Sequence, residues 1–381
     1  MALRGVCVIE LAGLAAAPFT SMILADYGAS VIRIDNRPGS VVYPDYSCRG
    51  KKSLSLDLKH PKGRHVLKQL ACKSDVLLES FRPGVMEKLQ LGPEFLIKEN
   101  PGLIYARLSG YGQKESPMSQ RAGHDINYIS LSGALSKFGR AHDNPIAPVN
   151  IVGDFAGGGL TCAFGILAAL FERANDAQGR GQIIDCGMTQ GASYLSSWLY
   201  QTKDSSVLWG KPRGHNMLDT GAHFYEVYET KEPGKYVAVG AIEPQFYSIL
   251  LEKLELSPPE DYPQFDANTE KLKGIFASKF RTKTREEWTK VFKDVDACVT
   301  PVLDVDEAPF HELSKEYFTS TESGQRMSLP APSLSRTPAN VSKGGFLKAG
   351  QHTRSTLRTS IGMKEEDIDE LLREGVVFEA S

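Results

Sequence analysis

Three short stretches of the sequence carry residue types that can transfer protons. AGHDINY contains His124 and Asp125, VGDFAGGG contains Asp154, and VGAIEPQFY contains Glu243. Histidine and carboxylate side chains are common general acids and bases, since enzymes readily tune their pKa values toward neutral pH. The three stretches are therefore candidates for acid–base chemistry, although their spacing alone does not join them.

Each of these residues also has an ordinary structural interpretation. His124 is compatible with a loop histidine whose ring nitrogens are satisfied locally. Asp154 is placed to cap a buried helix, and Glu243 directly precedes Pro244, a position typical of a helix start. The residue types alone leave both interpretations open.

A group of basic residues surrounds the segment SLSLDLK: Arg49, Lys51, Lys52, Lys59, Lys62 and Arg64. Taken alone, such a run predicts a solvated face. Arg37, in IDNRPGS, is more suggestive because it follows a predicted strand, and ligands bind at the carboxyl edge of a parallel sheet. An arginine there can bind phosphate or stack on a purine.

Two glycine-containing turns lack the residues that nucleotide-binding loops require. LAGLAAAPF precedes a strand that ends in Asp35, but it has no G-x-G-x-x-G, which disfavours a nicotinamide-dehydrogenase site. GDFAGGGL lacks the Lys-Ser/Thr pair of a P-loop. Its glycines are better explained by close helix packing.

Composition excludes several broad classes of protein. The 381 residues carry 44 Lys+Arg against 46 Asp+Glu, a net charge of −2 that gives no general attraction to nucleic acid. The scattered cysteines have no metal-ligand spacing, so we expect no metal site. The longest apolar run, residues 160–170, is shorter than the roughly 20 residues of a membrane span. We expect a buried core helix there, and no membrane span.

Short Val/Ile/Leu runs alternate with helical patterns in the first half of the chain, which predicts parallel βαβ units. Further strands are predicted at residues 53–56, 75–78, 103–108 and 182–186, with a helix at 61–73. Residues 109–153 are rich in Gly, Ser, Pro and Asn, which predicts a long segment poor in regular structure. In a compact domain such a segment indicates a functional loop.

Several motifs occur in a characteristic order and at characteristic separations. They are ELAGLAAAPF with LADYGASVIRID, FRPGVMEKLQLGP, LIYARLSGYGQ, AGHDINY, NIVGDFAGGG, NMLDTGAHFY, VGAIEPQFY and DACVTPVL. Together they resemble the α-methylacyl-CoA racemase branch of the family III CoA-transferases. The resemblance runs from Leu3 to about Pro332 and excludes the C-terminal tail.

This resemblance implies a two-base reaction on a 2-methylacyl-CoA thioester. One base removes the α-proton, and another returns a proton to the opposite face of the planar enolate. The family's bases fall on His124 and Asp154, with Glu243 orienting the histidine and Asn150 holding the aspartate. The backbone N–H of Asp125 is implied as the donor to the enolate oxygen. The reaction needs no metal or separate cofactor, since coenzyme A is part of the substrate.

The resemblance also implies where coenzyme A binds. Arg37 is expected near the adenine or the phosphates. Lys59 is also expected along the nucleotide, so the solvated-face interpretation no longer applies to it. The residues expected along the nucleotide are Leu56, Asp57, Leu58 and Lys59, and those expected at the thioester end are Gly123, His124, Asp125, Ile126, Asn127 and Tyr128.

The expected fold is α/β, with a Rossmann-like large domain built on a parallel sheet and a smaller α+β domain. The predicted parts are a large CoA-binding domain at 1–190, a linker at 191–220, the small domain at 221–318, and a linker and C-terminal segment at 319–381 that returns to the large domain. The resemblance implies an interlocked homodimer, with His124 and Asp154 opposite Glu243 of the partner subunit. Animal relatives suggest peroxisomes or mitochondria, although the final Phe-Glu-Ala-Ser is not the Ser-Lys-Leu signal.

Two other functions compete with a racemase. A CoA-transferase of the same family would use the aspartate at the Asp154 position as a nucleophile that carries the acyl group as an anhydride. In a non-enzymatic CoA-binding protein, His124, Asp154 and Glu243 would have no catalytic role. His124 favours the racemase, because a transferase has no need of a second base.

Overall fold

The computed structural model describes residues 1–39, 45–265, 268–342 and 346–380, which form two compact units. The larger unit comprises Met1–Gly133, Pro148–Ser196 and Glu316–Ser381, and the smaller unit comprises Ala134–Ala147 and Ser197–Lys315. These limits differ from the predicted ones, because residues 134–147 are grouped with the smaller unit and the expected linker at 191–220 contains helical residues.

The strands and helices follow in chain order. The strands are β1 (Cys7–Leu11), β2 (Ser30–Asp35), β3 (Lys51–Leu56), β4 (Val76–Glu79), β5 (Ile104–Ser109), β6 (Ile183–Gly187), β7 (Tyr225–Glu229), β8 (Tyr236–Gly240), β9 (Val299–Pro301), β10 (Phe318–Ser320), β11 (Arg326–Ser328) and β12 (Val377–Phe378). The α-helices are α1 (Ala16–Asp26), α2 (Pro61–Ala71), α3 (Val85–Lys88), α4 (Pro93–Glu99), α5 (Asp125–Leu131), α6 (Thr161–Asn175), α7 (Met188–Leu195), α8 (Ser197–Thr202), α9 (Pro244–Lys253), α10 (Thr269–Phe280), α11 (Arg285–Phe292), α12 (Thr353–Ile361) and α13 (Glu365–Arg373). A π-helical segment, Ile151–Leu160, leads directly into α6.

The larger unit is built on a seven-stranded sheet in the order β12-β3-β2-β1-β4-β5-β6. All neighbouring pairs are parallel except β12, which runs antiparallel to β3. The predicted parallel sheet is confirmed. For each of the four later strands, the predicted first and last residues differ from the observed ones by at most two positions. The strand signal came from short runs rich in Val, Ile and Leu, which are typical of a sheet covered on both faces.

Successive residues of each strand contribute to different apolar layers, because side chains alternate between the faces of a sheet. In β1, Val8 packs in the layer that includes residues of α1 and α6, while Ile9 packs in the layer that includes residues of α2, α12 and α13. Both side chains are fully buried. Burial of each such side chain contributes about 1.5–3 kcal/mol, so the two layers hold the sheet as a rigid platform.

The C-terminal segment forms the outermost strand of this sheet. Val377 lies opposite Leu56 and Phe378 lies opposite Ser55. The Thr353 hydroxyl ties α12 to both strands, since it donates to the Phe378 carbonyl at 2.6 Å and accepts from the Ser55 N–H at 3.2 Å. This segment therefore supports β3 and the loop that follows it.

The long helical stretch Ile151–Asn175 is only partly buried. Its inner side places Cys162, Ile166 and Ala169 in the core, but Phe164 is 72% exposed and Phe171 is 75% exposed. The expectation of a buried core helix is wrong for this outer face, because apolar residues occur all round the helix while the sheet covers one side. By length and composition this is one helix in the described chain that could cross a membrane, although a core helix of a soluble protein passes the same test.

The smaller unit has an antiparallel sheet in the order β7-β8-β9, with α9, α10 and α11 packed against it. Its core is strongly aromatic, and Phe276, Phe280 and Trp288 are almost fully buried. The Trp288 indole N–H donates to the Phe280 carbonyl at 2.7 Å, which satisfies the one polar group that the ring buries. The predicted α+β character of the second unit is confirmed.

Candidate active site

His124 occupies the N-cap position of α5, at the end of the long loop that follows β5. Its side chain is exposed and makes no capping hydrogen bond within the described chain. The backbone is held instead by Asn127, whose Oδ1 accepts from the His124 N–H at 3.0 Å. The helix start thus fixes the histidine backbone and leaves its ring available. The expectation that residues 109–153 lack regular structure is wrong for this helix.

Asp154 lies in the first turn of the π-helical segment, which Asn150 precedes as the N-cap residue. The Asn150 amide donates to Asp154 Oδ2 at 3.3 Å, as the resemblance implied. The backbone N–H of Asp154 donates to Asp125 Oδ2 at 2.8 Å. Asp154 is therefore not itself the cap of this helix, and its carboxylate is only partly buried.

The glycines after Asp154 allow the helix to approach its neighbours closely. A Cβ at Gly157 would lie 2.7 Å from the Ala192 backbone nitrogen, and a Cβ at Gly159 would lie 2.7 Å from the Phe19 ring. Any larger residue at either position would push the π-helical segment away from α7 or α1. The helix-packing interpretation of GDFAGGGL is confirmed.

The surroundings of Asp154 adjust its acidity. Partial burial raises the pKa of the Asp154 carboxyl, and the charge of Asp125 raises it further, while the Asn150 hydrogen bond and the charge of His124 oppose the shift. The segments that carry the two candidate bases are in contact, because Asp125, which directly follows His124, accepts the Asp154 backbone N–H. A carboxyl with a raised pKa is better suited to exchange protons near neutral pH than an ordinary aspartate.

Tyr128 holds the loop that precedes His124. Its hydroxyl donates to the Gly123 carbonyl, and its ring meets Tyr111 edge-on at 5.2 Å. A Cβ at Gly123 would lie 2.4 Å from the Tyr111 hydroxyl oxygen, so the loop is packed without spare room. Burial, followed by the charge of Asp154, raises the pKa of Tyr128 to about 12, which keeps the phenol protonated at neutral pH.

The residues predicted along the nucleotide lie at the carboxyl ends of two neighbouring strands. Arg37 follows β2 and is exposed, and its guanidinium carbon lies 5.5 Å from the centre of the Phe378 ring. The loop after β3 carries Asp57, whose Oδ1 accepts from the backbone N–H of Lys59 at 2.8 Å. The structure thus brings Arg37 to the same sheet edge as residues 56–59.

The basic group around SLSLDLK is not one solvated face. The ammonium group of Lys51 is fully buried, 2.8 Å from Glu10 Oε2, and Arg49 forms an ion pair with Asp26. Lys62 is exposed but pairs with Glu370 and Glu374. The solvated-face interpretation is therefore wrong for Lys51 and Arg49, because their acidic partners come from β1 and α1 and adjacent sequence does not reveal them.

Glu243 belongs to the smaller unit and occupies the N-cap position of α9. Its position agrees with the helix-start interpretation. Its carboxylate is exposed, however, and makes no capping hydrogen bond in the part of the chain that the structure describes. The side chain is therefore free to serve another group.

Two features were missed by sequence reasoning: the Phe378 ring near Arg37, and the Asp125 carboxylate, which binds the start of the π-helical segment. The apolar run VVF, residues 376–378, after a short helix was the available signal for β12. Nothing in the sequence signals the contact of Asp125. Among the described residues, no cluster of three or more His, Cys, Asp or Glu side chains is arranged to hold a metal ion.

Several known proteins are similar to this chain in sequence or in fold. Residues 3–353 match the family described as CoA-transferase family III. Alpha-methylacyl-CoA racemases from Homo sapiens and Mus musculus are each 50% identical over 380 residues, covering 99% of this chain and 98% of each relative. A solved CAIB/BAIF family protein from Brucella suis has a TM-score of 0.80 at 21% identity, covering 94% of this chain and 99% of that one, which shows a shared fold.

Proposed function

Because this chain belongs to CoA-transferase family III, we propose that it is an isomerase that interconverts the (2R) and (2S) forms of 2-methylacyl-CoA thioesters. The family predicted from the sequence motifs is confirmed by the match over most of the chain. The racemases of human and mouse, at 50% identity over nearly the whole length, support this activity over acyl transfer.

The reaction breaks the α-carbon–hydrogen bond and leaves its electron pair in an enolate. One of the two residues His124 and Asp154 accepts the proton, and the other delivers a proton to the opposite face. The observation that carries this proposal is a contact between the two segments: exposed His124 is followed directly by Asp125, whose carboxylate accepts the backbone N–H of Asp154 at 2.8 Å. Each positioned acid or base of this kind typically contributes about 10²–10⁴-fold.

The thioester itself acidifies the α-carbon, and the enolate oxygen needs a hydrogen-bond donor. We assign this role to the backbone N–H of Asp125, the first residue of α5, because first-turn N–H groups have no partner within their own helix. Loss of such a donor typically costs about 2.7–4 kcal/mol of transition-state stabilisation. Coenzyme A enters as part of the substrate, with Arg37 and residues 56–59 along its nucleotide.

The active form is a homodimer in this proposal. Its support is the outer face of α6, where Phe164 and Phe171 are more than two-thirds exposed in a single chain. Large apolar residues that are exposed together, two turns apart on one helix, indicate a surface that another protein covers. Glu243 then orients His124 of the other subunit, and its exposed carboxylate is free for that contact.

The test is incubation of one pure epimer of a 2-methylacyl-CoA in heavy water, followed by NMR. We expect the wild-type protein to invert the α-carbon and to incorporate deuterium there. His124→Ala and Asp154→Asn should each lose inversion by at least 10²-fold while their melting temperatures stay close to wild type. Glu243→Gln should be impaired less, since it acts through His124.

The outcomes separate the competing functions. Acyl transfer to an added carboxylate without α-deuterium would overturn the racemase proposal in favour of a CoA-transferase. Full inversion by either the His124 or the Asp154 variant would overturn the two-base assignment. Binding without any turnover would indicate a CoA-binding protein.

A further inference from the structure

The carboxylate of Asp125 joins the two elements that carry the proposed bases. Its Oδ2 accepts from the backbone N–H groups of Gly153 at 2.6 Å and Asp154 at 2.8 Å. These partners lie 28 and 29 residues further along the chain. Asp125 itself directly follows His124, so a single side chain links the histidine backbone to the aspartate backbone.

This link lies in the protein interior. Asp125 is only 4% exposed, and its second oxygen, Oδ1, has no hydrogen-bond partner among the described residues. An acceptor oxygen buried without a partner is costly, on the order of 1–3 kcal/mol. The Asp125 carboxylate is kept despite this cost, and its two contacts both lie at the segment that carries Asp154.

Gly153 permits the contact. A Cβ at this position would lie 2.7 Å from Asp125 Oδ2, closer than a side-chain carbon can approach an oxygen. The glycine-rich π-helical segment that contains Gly153 has more backbone freedom than an ordinary helix. A fixed acceptor at its first turn removes that freedom where Asp154 projects.

We infer that the Asp125 side chain is a positioning residue that holds Asp154 on the face of the substrate opposite His124. This inference rests on the proposed racemase function. It differs from the enolate contact, which uses the backbone N–H of Asp125 and survives a change of side chain. Loss of the carboxylate should displace Asp154 and leave His124 in place.

That displacement has a signature that general loss of stability lacks. When Asp154 is misplaced, the epimer whose α-proton faces His124 still exchanges that proton with solvent, but its enolate is rarely protonated from the other side. The opposite epimer loses both exchange and inversion. Deuterium incorporation with retention of configuration therefore rises relative to inversion for one epimer only.

The experiment compares Asp125→Asn, Asp125→Ala and Gly153→Ala with wild type, with each epimer in heavy water. Gly153→Ala disturbs the same contact from the other side, in case the Asp125 variants fold poorly. The control is Asp185→Asn, since the Asp185 carboxylate likewise accepts a backbone N–H, that of Gln113 at 2.9 Å, and Asp185 is not among the proposed catalytic or binding residues. Melting temperatures are recorded for every variant.

We expect inversion to fall by about 10²-fold in Asp125→Ala, the loss associated with a misplacement near 1 Å, and by less in Asp125→Asn, which keeps an acceptor. KM should change little, and Asp185→Asn should behave like wild type. Because the charge of Asp125 raises the pKa of Asp154, the acidic limb of the Asp125→Asn rate profile should move to lower pH.

Equal losses of exchange and inversion for both epimers would overturn the inference, as would wild-type inversion in Asp125→Ala and Gly153→Ala. An unchanged acidic limb in Asp125→Asn would also count against it. Failure of the proposed function itself looks different, because the wild-type protein would then neither invert nor label either epimer.

Discussion

Asp154 is the residue whose ionisation the surrounding side chains control most directly. Burial and the charge of Asp125 favour its neutral form, while Asn150 and the charge of His124 favour the carboxylate. In the proposed mechanism one of His124 and Asp154 must accept a proton while the other donates one, so the two together carry a single exchangeable proton. At low pH the Asp154 carboxylate is protonated and can no longer accept the α-proton.

Asn150→Ala tests this balance at a single hydrogen bond. The Asn150 amide stabilises the carboxylate and so lowers the pKa of Asp154, and its removal should raise that pKa. The acidic limb of the inversion rate should therefore move to higher pH, opposite to Asp125→Asn. At neutral pH we expect about a tenfold loss, the effect of about 1.5 kcal/mol from one hydrogen bond to a charged group. The measurement is the rate of inversion across pH 4–9, and a limb that stays in place would contradict the role of Asn150.

Among the secondary-structure elements, β12 has the clearest link to substrate binding. It places the Phe378 ring 5.5 Å from the Arg37 guanidinium carbon. Nearby residues of the same C-terminal segment line an open hollow of about 570 Å³: Phe346, Lys348, Gly350, Gln351, Glu379 and Ala380. Phe378, which lies outside the family motifs, thus packs near the arginine that we place at the nucleotide.

Phe378→Ala should weaken binding of a full CoA thioester by about two- to fivefold, because a cation–π contact at an exposed site contributes about 0.5–1 kcal/mol. Arg37→Ala should have a larger effect, about tenfold or more. Both effects should appear in KM and leave kcat nearly unchanged, as a uniform-binding contact requires. The control substrate is a pantetheine thioester, which lacks the nucleotide. Equal effects on both substrates would contradict the placement of Arg37.

The elements that were predicted correctly are those that a short run of neighbouring residues identifies. The parallel strands were predictable because residues such as Val76 to Leu78 form a short apolar run that is buried on both faces. Lys51 was not predictable as a buried residue, because its partner Glu10 lies 41 residues earlier in the chain. The roles of His124, Asp154 and Glu243 stay predictions made from family motifs, whereas the contact of Asp125 with Gly153 depends on a backbone approach that no residue pattern records.

At the scale of the whole molecule, the exposed outer face of α6 is the feature that a single chain leaves unexplained. Phe164 and Phe171 lie two turns apart on this helix, and both are largely exposed. Their inward neighbours, Cys162, Ile166 and Ala169, lie in the core of the larger unit. The helix therefore has one face that the larger unit covers and another, largely exposed, that the proposed dimer would cover.

Phe164→Asp combined with Phe171→Asp should dissociate the dimer, since a desolvated carboxylate in an apolar interface costs several kcal/mol. Analytical ultracentrifugation should show a dimer for wild type and monomer or weakened dimer for the variant, with a matching loss of inversion. Val305→Asp is the control, because Val305 is 89% exposed and lies in the smaller unit. A wild-type protein that is active as a monomer would contradict the proposed assembly.

The antiparallel strand β12 has a consequence for the order in which a newly made chain becomes structured. Residues 197–315 leave the ribosome before residues 346–380, so most of the smaller unit can form while translation continues. The sheet of the larger unit keeps an unpaired β3 edge until Val377 and Phe378 have emerged. During that interval Leu56 and the loop after it lack their neighbouring strand, and a chaperone that shields exposed sheet edges would have its main target there.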